Sequence, residues 1–248
     1  MTDFSVATIL ITGAASGIGA AAARAFQSHG VKLILMDQNE AGLAEFPNVQ
    51  KIIGDVADPQ LWQNADLSGL THAVINAGVA NGGAPIADLD FAEWRRVMAI
   101  NLDGAFLSLS AAMRALRAGQ KGGAVLITSS IAGVKASPGI AAYASSKAAL
   151  IHLARVAALE GAPDRIRVNA IAPAGVETPI WTDQKFFKDL AAAKGGAEQA
   201  FRELAEGSTH LGRFAMAEEV AGQIAFLLSD QAALITGTCL VADGGYSL

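Results

Sequence analysis

Tyr143 and Lys147 stand four residues apart in the run Y-A-S-S-K, and Ser130 lies thirteen residues before the tyrosine. On a helix, positions i and i+4 share a face, so the Lys147 ammonium can approach the Tyr143 phenol. A phenol ordinarily titrates at about 10, and a cation held beside it favours the phenolate and moves that value toward neutral pH. A serine hydroxyl delivered from a neighbouring strand end can then hold a substrate oxygen against the phenol. The set suits removal of a proton from an alcohol, or its return to a carbonyl. Ser129 is the adjacent alternative, but its side chain would face the other way on a strand. Alone, Y-x-x-x-K also describes a surface tyrosine beside an ordinary helical lysine, so its meaning depends on the elements that position it.

The first of those elements lies near the N-terminus. Thr12-Gly13-Ala14-Ala15-Ser16-Gly17-Ile18-Gly19 directly follows the apolar run Thr8-Ile9-Leu10-Ile11, which reads as a buried parallel strand. It opens an alanine-rich helix over 17–29 that Gly30 terminates. In a dinucleotide-binding unit the backbone must turn tightly, let a pyrophosphate approach and present helix N-terminal N–H groups to it. The spacing here is G-x-x-x-G-x-G rather than G-x-G-x-x-G.

Cofactor preference can be read from one residue. Asp37 ends the second apolar run, eighteen positions after Gly19, where a carboxylate accepts hydrogen bonds from adenosine ribose hydroxyls and repels a ribose phosphate. No arginine or lysine stands at Ala14, Ala15 or Gln38. NAD is therefore expected in preference to NADP.

The glycine loop, the N-A-G of Asn76, Ala77 and Gly78, then Asn101, Ser130, Tyr143 and Lys147 together resemble the short-chain dehydrogenase/reductase family, from Thr8 to the closing Asp243-Gly244-Gly245. The resemblance implies that Tyr143 is the acid–base group, Ser130 positions the substrate oxygen, and Lys147 lowers the phenol pKa and holds the nicotinamide ribose. It implies that Asn101 bends its helix and holds a water linking the lysine to solvent. Gly13, Ser16, Gly17, Ile18 and Gly19 would form the pyrophosphate cradle, and Asn76, Ala77 and Gly78 would line the cofactor. Asp55 and Val56 match the adenine-pocket pair, although Asp55 can equally cap a helix. After the sixth strand, Pro173, Val176 and Thr178 match the segment over the nicotinamide, with Val176 offering backbone groups to the carboxamide and Thr178 a hydroxyl. Two positions depart from the family pattern: Ile75 replaces the first of a usual asparagine pair, and Ala174 rather than glycine follows Pro173.

The rest of the chain agrees with one α/β domain over 1–248. Hydrophobic residues make up 52% and charged residues 17% of 248, which argues against disorder. The net charge of -5, without a basic run, disfavours nucleic acid. The uncharged stretch 4–23 is long enough to mimic a membrane span, but its glycines identify it as the strand, turn and helix already described. A cytoplasmic protein without membrane association is expected. The single Cys239 excludes an intrachain disulfide, and the four scattered histidines show no metal-ligand spacing. Strands are expected at 8–12, 32–36, 49–53, 72–75, 123–128, 166–171 and 238–241, and helices at 17–29, 91–116, 142–161 and 217–228. They give a Rossmann-type, doubly wound, seven-stranded parallel sheet in the order 3-2-1-4-5-6-7. The connections 37–49 and 58–70 are short for full crossover helices.

The expected substrate is a small alcohol or ketone, in a pocket lined by 79–83 and 131–140 and covered by 180–211, whose aromatics read as packing more than as a substrate box. The alternatives are an NADPH-dependent 3-oxoacyl reductase, which Asp37 disfavours, and a non-catalytic NAD-binding scaffold or sensor, which the complete Asn101, Ser130, Tyr143 and Lys147 set disfavours. Small and aliphatic residues on more than one face of 142–161 point to helix–helix association, and the family resemblance adds a homotetramer or homodimer, with the C-terminal tail at a second interface.

Overall fold

The computed structural model describes residue 4 and residues 6–248. Parallel strands covered on both faces must be apolar along their length, and the inner strands behave in that way, while the edge strands at 50–53 and 239–242 are more exposed. From the N-terminus come strand β1 (Thr8–Thr12), helix α1 (Gly17–Gln27), β2 (Lys32–Asp37), β3 (Gln50–Ile53), α2 (Pro59–Asn64) and β4 (His72–Ile75). Helices α3 (Phe91–Met98) and α4 (Gly104–Gly119) then lead to β5 (Gly123–Thr128), α5 (Ala141–Gly161) and β6 (Ile166–Pro173). Three short helices follow, α6 (Pro179–Thr182), α7 (Lys185–Lys194) and α8 (Ala197–Glu206), then α9 (Ala217–Leu228) and β7 (Cys239–Ala242). The sheet is seven-stranded and parallel in the order β3-β2-β1-β4-β5-β6-β7, as expected.

Successive strand residues point to opposite faces, and the core divides accordingly. Ile9, Ile11 and Leu35 pack with Ala20, Ala23, Phe26 and the α9 residues Val220 and Ile224 on one face. Leu10, Ile34 and Val125 pack with Leu109 and Ala112 of α4 and Leu150 and Ala154 of α5 on the other. A third, separate cluster of Phe187, Ala200, Phe201, Ala205 and Phe214 lies under the cover.

Two expectations are corrected. The helix expected over 91–116 is two helices joined by a π turn at Ala99–Asp103. A π turn inserts one residue into a helix and leaves no compositional mark. The helical pattern at 17–29 stops at Gln27, and the chain leaves the helix before Gly30, which has φ 71°. The trimmed side of the sheet is as the sequence implied: 37–49 holds only the 3-10 turn Gly42–Glu45, and 58–70 only the six residues of α2.

Candidate active site

The C-terminal ends of the strands open onto one cavity of about 890 Å³. Of the residues singled out for catalysis or cofactor binding, all but Gly19 and Asn101 line it, and those two stand directly behind it. At one end, Gly13 turns the chain with φ 67°. A Cβ there would lie 2.8 Å from the Ala77 Cα, and one on Gly19 would collide with the Gly13 carbonyl oxygen. Only glycine fits such positions. Ser16 is the N-cap of α1, yet its side chain makes no capping bond, and the first turn carries no acid. The N–H groups of that turn, unpaired within the helix, are left for a ligand anion.

Thr12, which sequence reasoning passed over, holds this loop to the next strand. Its fully buried hydroxyl accepts from the N–H groups of Asn76 (2.9 Å) and Ala77 (3.1 Å). Asn76 Nδ2 donates in turn to the Thr12 carbonyl at 3.1 Å. Asn76 therefore braces the glycine loop. Asp37 stands at the wall of the cavity with one carboxylate oxygen accepting from Ala15 N–H (3.0 Å) and the other from Asn39 N–H (2.9 Å). These bonds fix its orientation and leave lone pairs on both oxygens. Asp55 accepts from Ala57 N–H at 2.9 Å, while Asp58 is the residue that caps α2. Val56 packs against Gly104, where a Cβ would lie 2.7 Å from its Cγ1.

At the other end, β5 and α5 bring Ser130, Tyr143 and Lys147 together. Ser130 is the buried N-cap of the turn after β5 and accepts from Ala132 N–H at 3.2 Å. Ser129 Oγ instead donates to the Lys147 carbonyl at 2.7 Å, bracing α5. Lys147 is 3% exposed. Its ammonium donates to the Thr128 carbonyl at 2.9 Å and lies 5.6 Å from the centre of the Tyr143 ring. Among the described residues it makes no other hydrogen bond, leaving two of its three donors. Burial lowers the Lys147 pKa to about 8. Burial also pushes the Tyr143 phenol up, opposed by its hydrogen bond with Ser130. The four-residue spacing of Tyr143 and Lys147 alone predicts the opposite direction, with the lysine pulling the phenol down. With the ammonium over the ring face, desolvation of the phenol prevails.

Asn101 sits in the π turn and is fully buried, not the surface residue its helix alone would imply. Its Oδ1 accepts from Val79 N–H (2.8 Å), and its Nδ2 donates to the Val79 carbonyl (2.9 Å) and to Ser146 Oγ (3.2 Å). Ser146 donates to the Tyr143 carbonyl at 2.7 Å. The bulge thus ties the loop after β4 to the tyrosine's own helix. A Cβ on Gly78 would lie 3.3 Å from both Asn101 Oδ1 and Lys147 Nζ, so the two side chains approach each other only across a glycine.

The segment after β6 resolves the departure at Ala174. Ala174 N–H donates to the Ala242 carbonyl at 3.2 Å, and a Cβ on Gly175 would run into the Phe214 ring. Glycine is needed one place later than usual because Phe214 packs there. Thr178 is buried and its hydroxyl donates to the Val176 carbonyl at 3.2 Å. In the cover, Phe187 and Phe201 are buried with ring centroids 4.5 Å apart, whereas Trp181 and Phe186 line the cavity. Asn81 and Tyr246 also reach the cavity. Asn81 accepts from Tyr143 N–H at 3.3 Å and donates to the Gly139 carbonyl at 3.1 Å. Tyr246 was expected with the tail at a subunit interface, yet its side chain faces its own chain's cavity. Being one of only two tyrosines was the only sign it gave. No cluster of metal-binding side chains occurs among the described residues.

Residues 13–247 match a protein-family model described as enoyl-(acyl carrier protein) reductase. The chain is 34% identical to cis-4-hydroxycyclohexanecarboxylate dehydrogenase of Sinomonas cyclohexanicum, covering 98% of each. A short-chain type dehydrogenase/reductase from Mycobacterium marinum superposes with a TM-score of 0.86 at 29% identity, over 99% of this chain and 97% of that one. Carveol dehydrogenase from Mycobacterium avium, solved in complex with NAD, superposes with a TM-score of 0.92 at 26% identity, over 99% of both chains.

Proposed function

The chain belongs to the short-chain dehydrogenase/reductase family and is an oxidoreductase of CH–OH groups, and from that premise we propose that it exchanges a hydride between a secondary alcohol and NAD, with Tyr143 as the acid–base group. The observation that carries this reading is the single cavity joining the glycine loop and Asp37 to Ser130, Tyr143 and Lys147. The residues present fit the cofactor. The cradle at Gly13 and Gly19 admits no Cβ, and Thr128 Oγ1, buried at the cavity wall, has no partner among the described residues. Among the described lining residues the cations are Arg96 and Lys147, so none stands with Asp37 to receive a ribose phosphate. That supports NAD over NADP.

When bound, the nicotinamide supplies the hydride acceptor or donor. Gly13, Ser16, Gly17 and Ile18 would hold the pyrophosphate, with Gly19 behind them. Asp37 would hold the adenosine ribose, Asp55 and Val56 the adenine, and Asn76, Ala77 and Gly78 the middle of the molecule. Pro173, Val176 and Thr178 would lie over the nicotinamide. Ser130 holds the substrate oxygen, and Tyr143 Oη takes its proton on oxidation or returns it on reduction. Lys147 keeps its charge at neutral pH, since it titrates near 8, and offers its two free donors to ribose hydroxyls. Asn101 positions this set through Val79 and Ser146. Because burial raises the phenol, alcohol oxidation, which needs it deprotonated, should increase with pH above neutrality. Carbonyl reduction, which needs it protonated, should be sustained over the same range.

A panel of secondary alcohols, assayed by NADH absorbance with NAD and NADP in parallel and with a 3-oxoacyl thioester plus NADPH as control, tests the reading. Tyr143→Phe should lower kcat by at least ~100-fold with cofactor affinity retained by fluorescence titration. Near-normal turnover in that variant would exclude Tyr143 as the proton carrier, and no turnover of any alcohol would favour a scaffold.

The reading extends to a cytoplasmic homotetramer. Among the described residues no helix is long and apolar enough to cross a membrane. Phe106 of α4 and Val156 and Leu159 of α5 are 54%, 41% and 79% exposed, an apolar face suited to a second copy. Phe226 of α9 and Val241 of β7 are also exposed apolar side chains. Light scattering at micromolar concentration distinguishes tetramer, dimer and monomer.

A further inference from the structure

The substrate end of the cavity has two walls from distant parts of the chain: the loop 131–140 after β5, and the far end of the cover around 208–214. The C-terminal tail ties them together. Leu211 N–H donates to the Gly244 carbonyl at 3.0 Å, and a Cβ on Gly245 would lie 3.0 Å from the Cβ of His210. On the opposite side, Lys135 Nζ donates to the Tyr246 carbonyl at 2.7 Å and sits 4.8 Å from the centre of the Tyr246 ring. The Asp243 carboxylate accepts from Gly245 N–H (2.9 Å) and Ser247 N–H (2.8 Å), curling the tail so that the tyrosine enters the cavity.

The Tyr246 hydroxyl lies 3.4 Å from Ser137 Oγ, and among the described residues neither has another hydrogen-bond partner. Two adjoining hydroxyls with unused donors and acceptors stand in a cavity that Trp181, Phe186 and Phe214 also line. The cations nearby do not offer a free charge to the cavity. Arg96 is paired with Glu93 and also donates to the Ala80 carbonyl, and Lys135, whose ammonium donates to the Tyr246 carbonyl, is exposed and does not line the cavity. Asp183, also at the wall, adds a negative charge. An anionic group would find no unpaired cation lining that wall, whereas a neutral hydroxyl or carbonyl would find two partners.

We propose that Tyr246 is a specificity-determining residue that, with Ser137, hydrogen-bonds a second, uncharged polar group on a compact, largely apolar secondary alcohol whose carbinol lies at Tyr143. The inference rests on the dehydrogenase reading above and adds the substrate class.

Three probes built on one ring test it on the full-length, NAD-saturated protein: cyclohexanol, cyclohexane-1,4-diol and 4-hydroxycyclohexanecarboxylate. Affinities come from calorimetry and turnover from NADH absorbance. Wild type should bind the diol up to roughly tenfold more tightly than cyclohexanol, the scale of one good hydrogen bond, and should bind the carboxylate less well than the diol. Tyr246→Phe keeps the ring over Lys135 and removes only the hydroxyl, so the diol-to-cyclohexanol ratio should fall toward one. Ser137→Ala should move the ratio in the same direction. Equal wild-type affinities, a ratio unchanged in Tyr246→Phe, a preference for the carboxylate, or binding of none of the three would overturn the assignment. A structural role alone would shift all three affinities together and leave the ratio intact, which also overturns it. Intact, Tyr246-dependent binding ratios with no turnover would uphold the tyrosine's role in recognition and sink the dehydrogenase reading instead.

Discussion

The two ends of the cavity are built from different materials. At the glycine loop, backbone meets backbone: Thr12 clasps Asn76 and Ala77, Asp37 caps Ala15, and Gly13 and Gly19 have no room for a side chain. At the cover, side chains meet side chains. Phe187, Phe201 and Phe214 form a cluster of their own, outside the two cores of the sheet. The ion pairs on its outer surface, Lys185–Asp189 and Arg202–Glu198, are well exposed and contribute little. A wall made of backbone accepts one ligand shape and fixes residue identity, whereas a wall made of packed side chains accepts any set of similar volume. The first suits a cofactor shared by a family, and the second suits a substrate particular to one member.

The sharpest way to break that contrast is to change cofactor choice with one side chain. Asp37→Ala removes a ribose acceptor and a charge that repels phosphate. Losing a hydrogen bond to a charged group costs about 1.5–3 kcal/mol, so the NAD-to-NADP ratio of kcat/KM should fall by roughly ten- to a hundredfold. Steady-state kinetics with both cofactors reads it. A wild type that already prefers NADP would mean that the end of β2 does not select the cofactor.

The cover should separate by aromatic position. Phe201→Ala opens a hole in the cluster beneath it, and large-to-small changes of this kind cost about 3–5 kcal/mol where the site cannot collapse. Because that cluster stands apart from the sheet, the loss should appear first as faster proteolysis or hydrogen exchange over 179–212, with the thermal midpoint of the sheet less affected. Trp181→Ala, at the cavity wall, should raise KM with a smaller effect on local exchange. If the two variants behave alike, the cover is a uniform lid rather than a packed body with a recognition face.

The same contrast explains what the sequence made legible. All seven strands lie within two residues of their expected positions, the inner five because a parallel strand buried on both faces must be a continuous apolar run. Asp37 and the glycines could be found because backbone geometry demands those residue types. The π turn left only one sign, since its inserted residue changes no composition: Asn101, whose match to the family implied a bend there but not its form. The burial of Asn101 was equally hidden, because its partners are the backbone of Val79, 22 positions away, and Ser146, 45 positions away. Tyr246 escaped for a related reason: its surroundings come from two walls far apart in the chain. The lysine–tyrosine spacing correctly put the two residues side by side, but spacing alone carries no information about solvent, and solvent exclusion sets the direction of the phenol's shift.

The smallest expected effect belongs to the opposite end of the sheet, at the N-terminal ends of its strands, where a group near no cavity end should change stability alone. His72 opens β4, its ring edge-on to Phe4 with centroids 5.6 Å apart and its Nδ1 2.8 Å from the Thr71 hydroxyl. Burial, reinforced by the Arg167 charge and opposed by Asp230, lowers its pKa from 6.5 to about 4. Arg167 is held in place by the carbonyls of Leu227, Leu228 and Ser229 at the end of α9, so the cation cannot easily withdraw. Between those two pKa values the unfolded chain binds a proton that the folded chain refuses, and stability therefore falls as pH drops from 6.5 toward 4. The shift corresponds to no more than about 3 kcal/mol. His72→Gln, which does not titrate, should flatten the dependence of the urea midpoint on pH across that window, while NAD affinity at pH 7 stays as in wild type. An unchanged pH slope in the variant would move the acid sensitivity to other groups, and a loss of NAD affinity would mean that the N-terminal ends of the strands help to shape the site at the other.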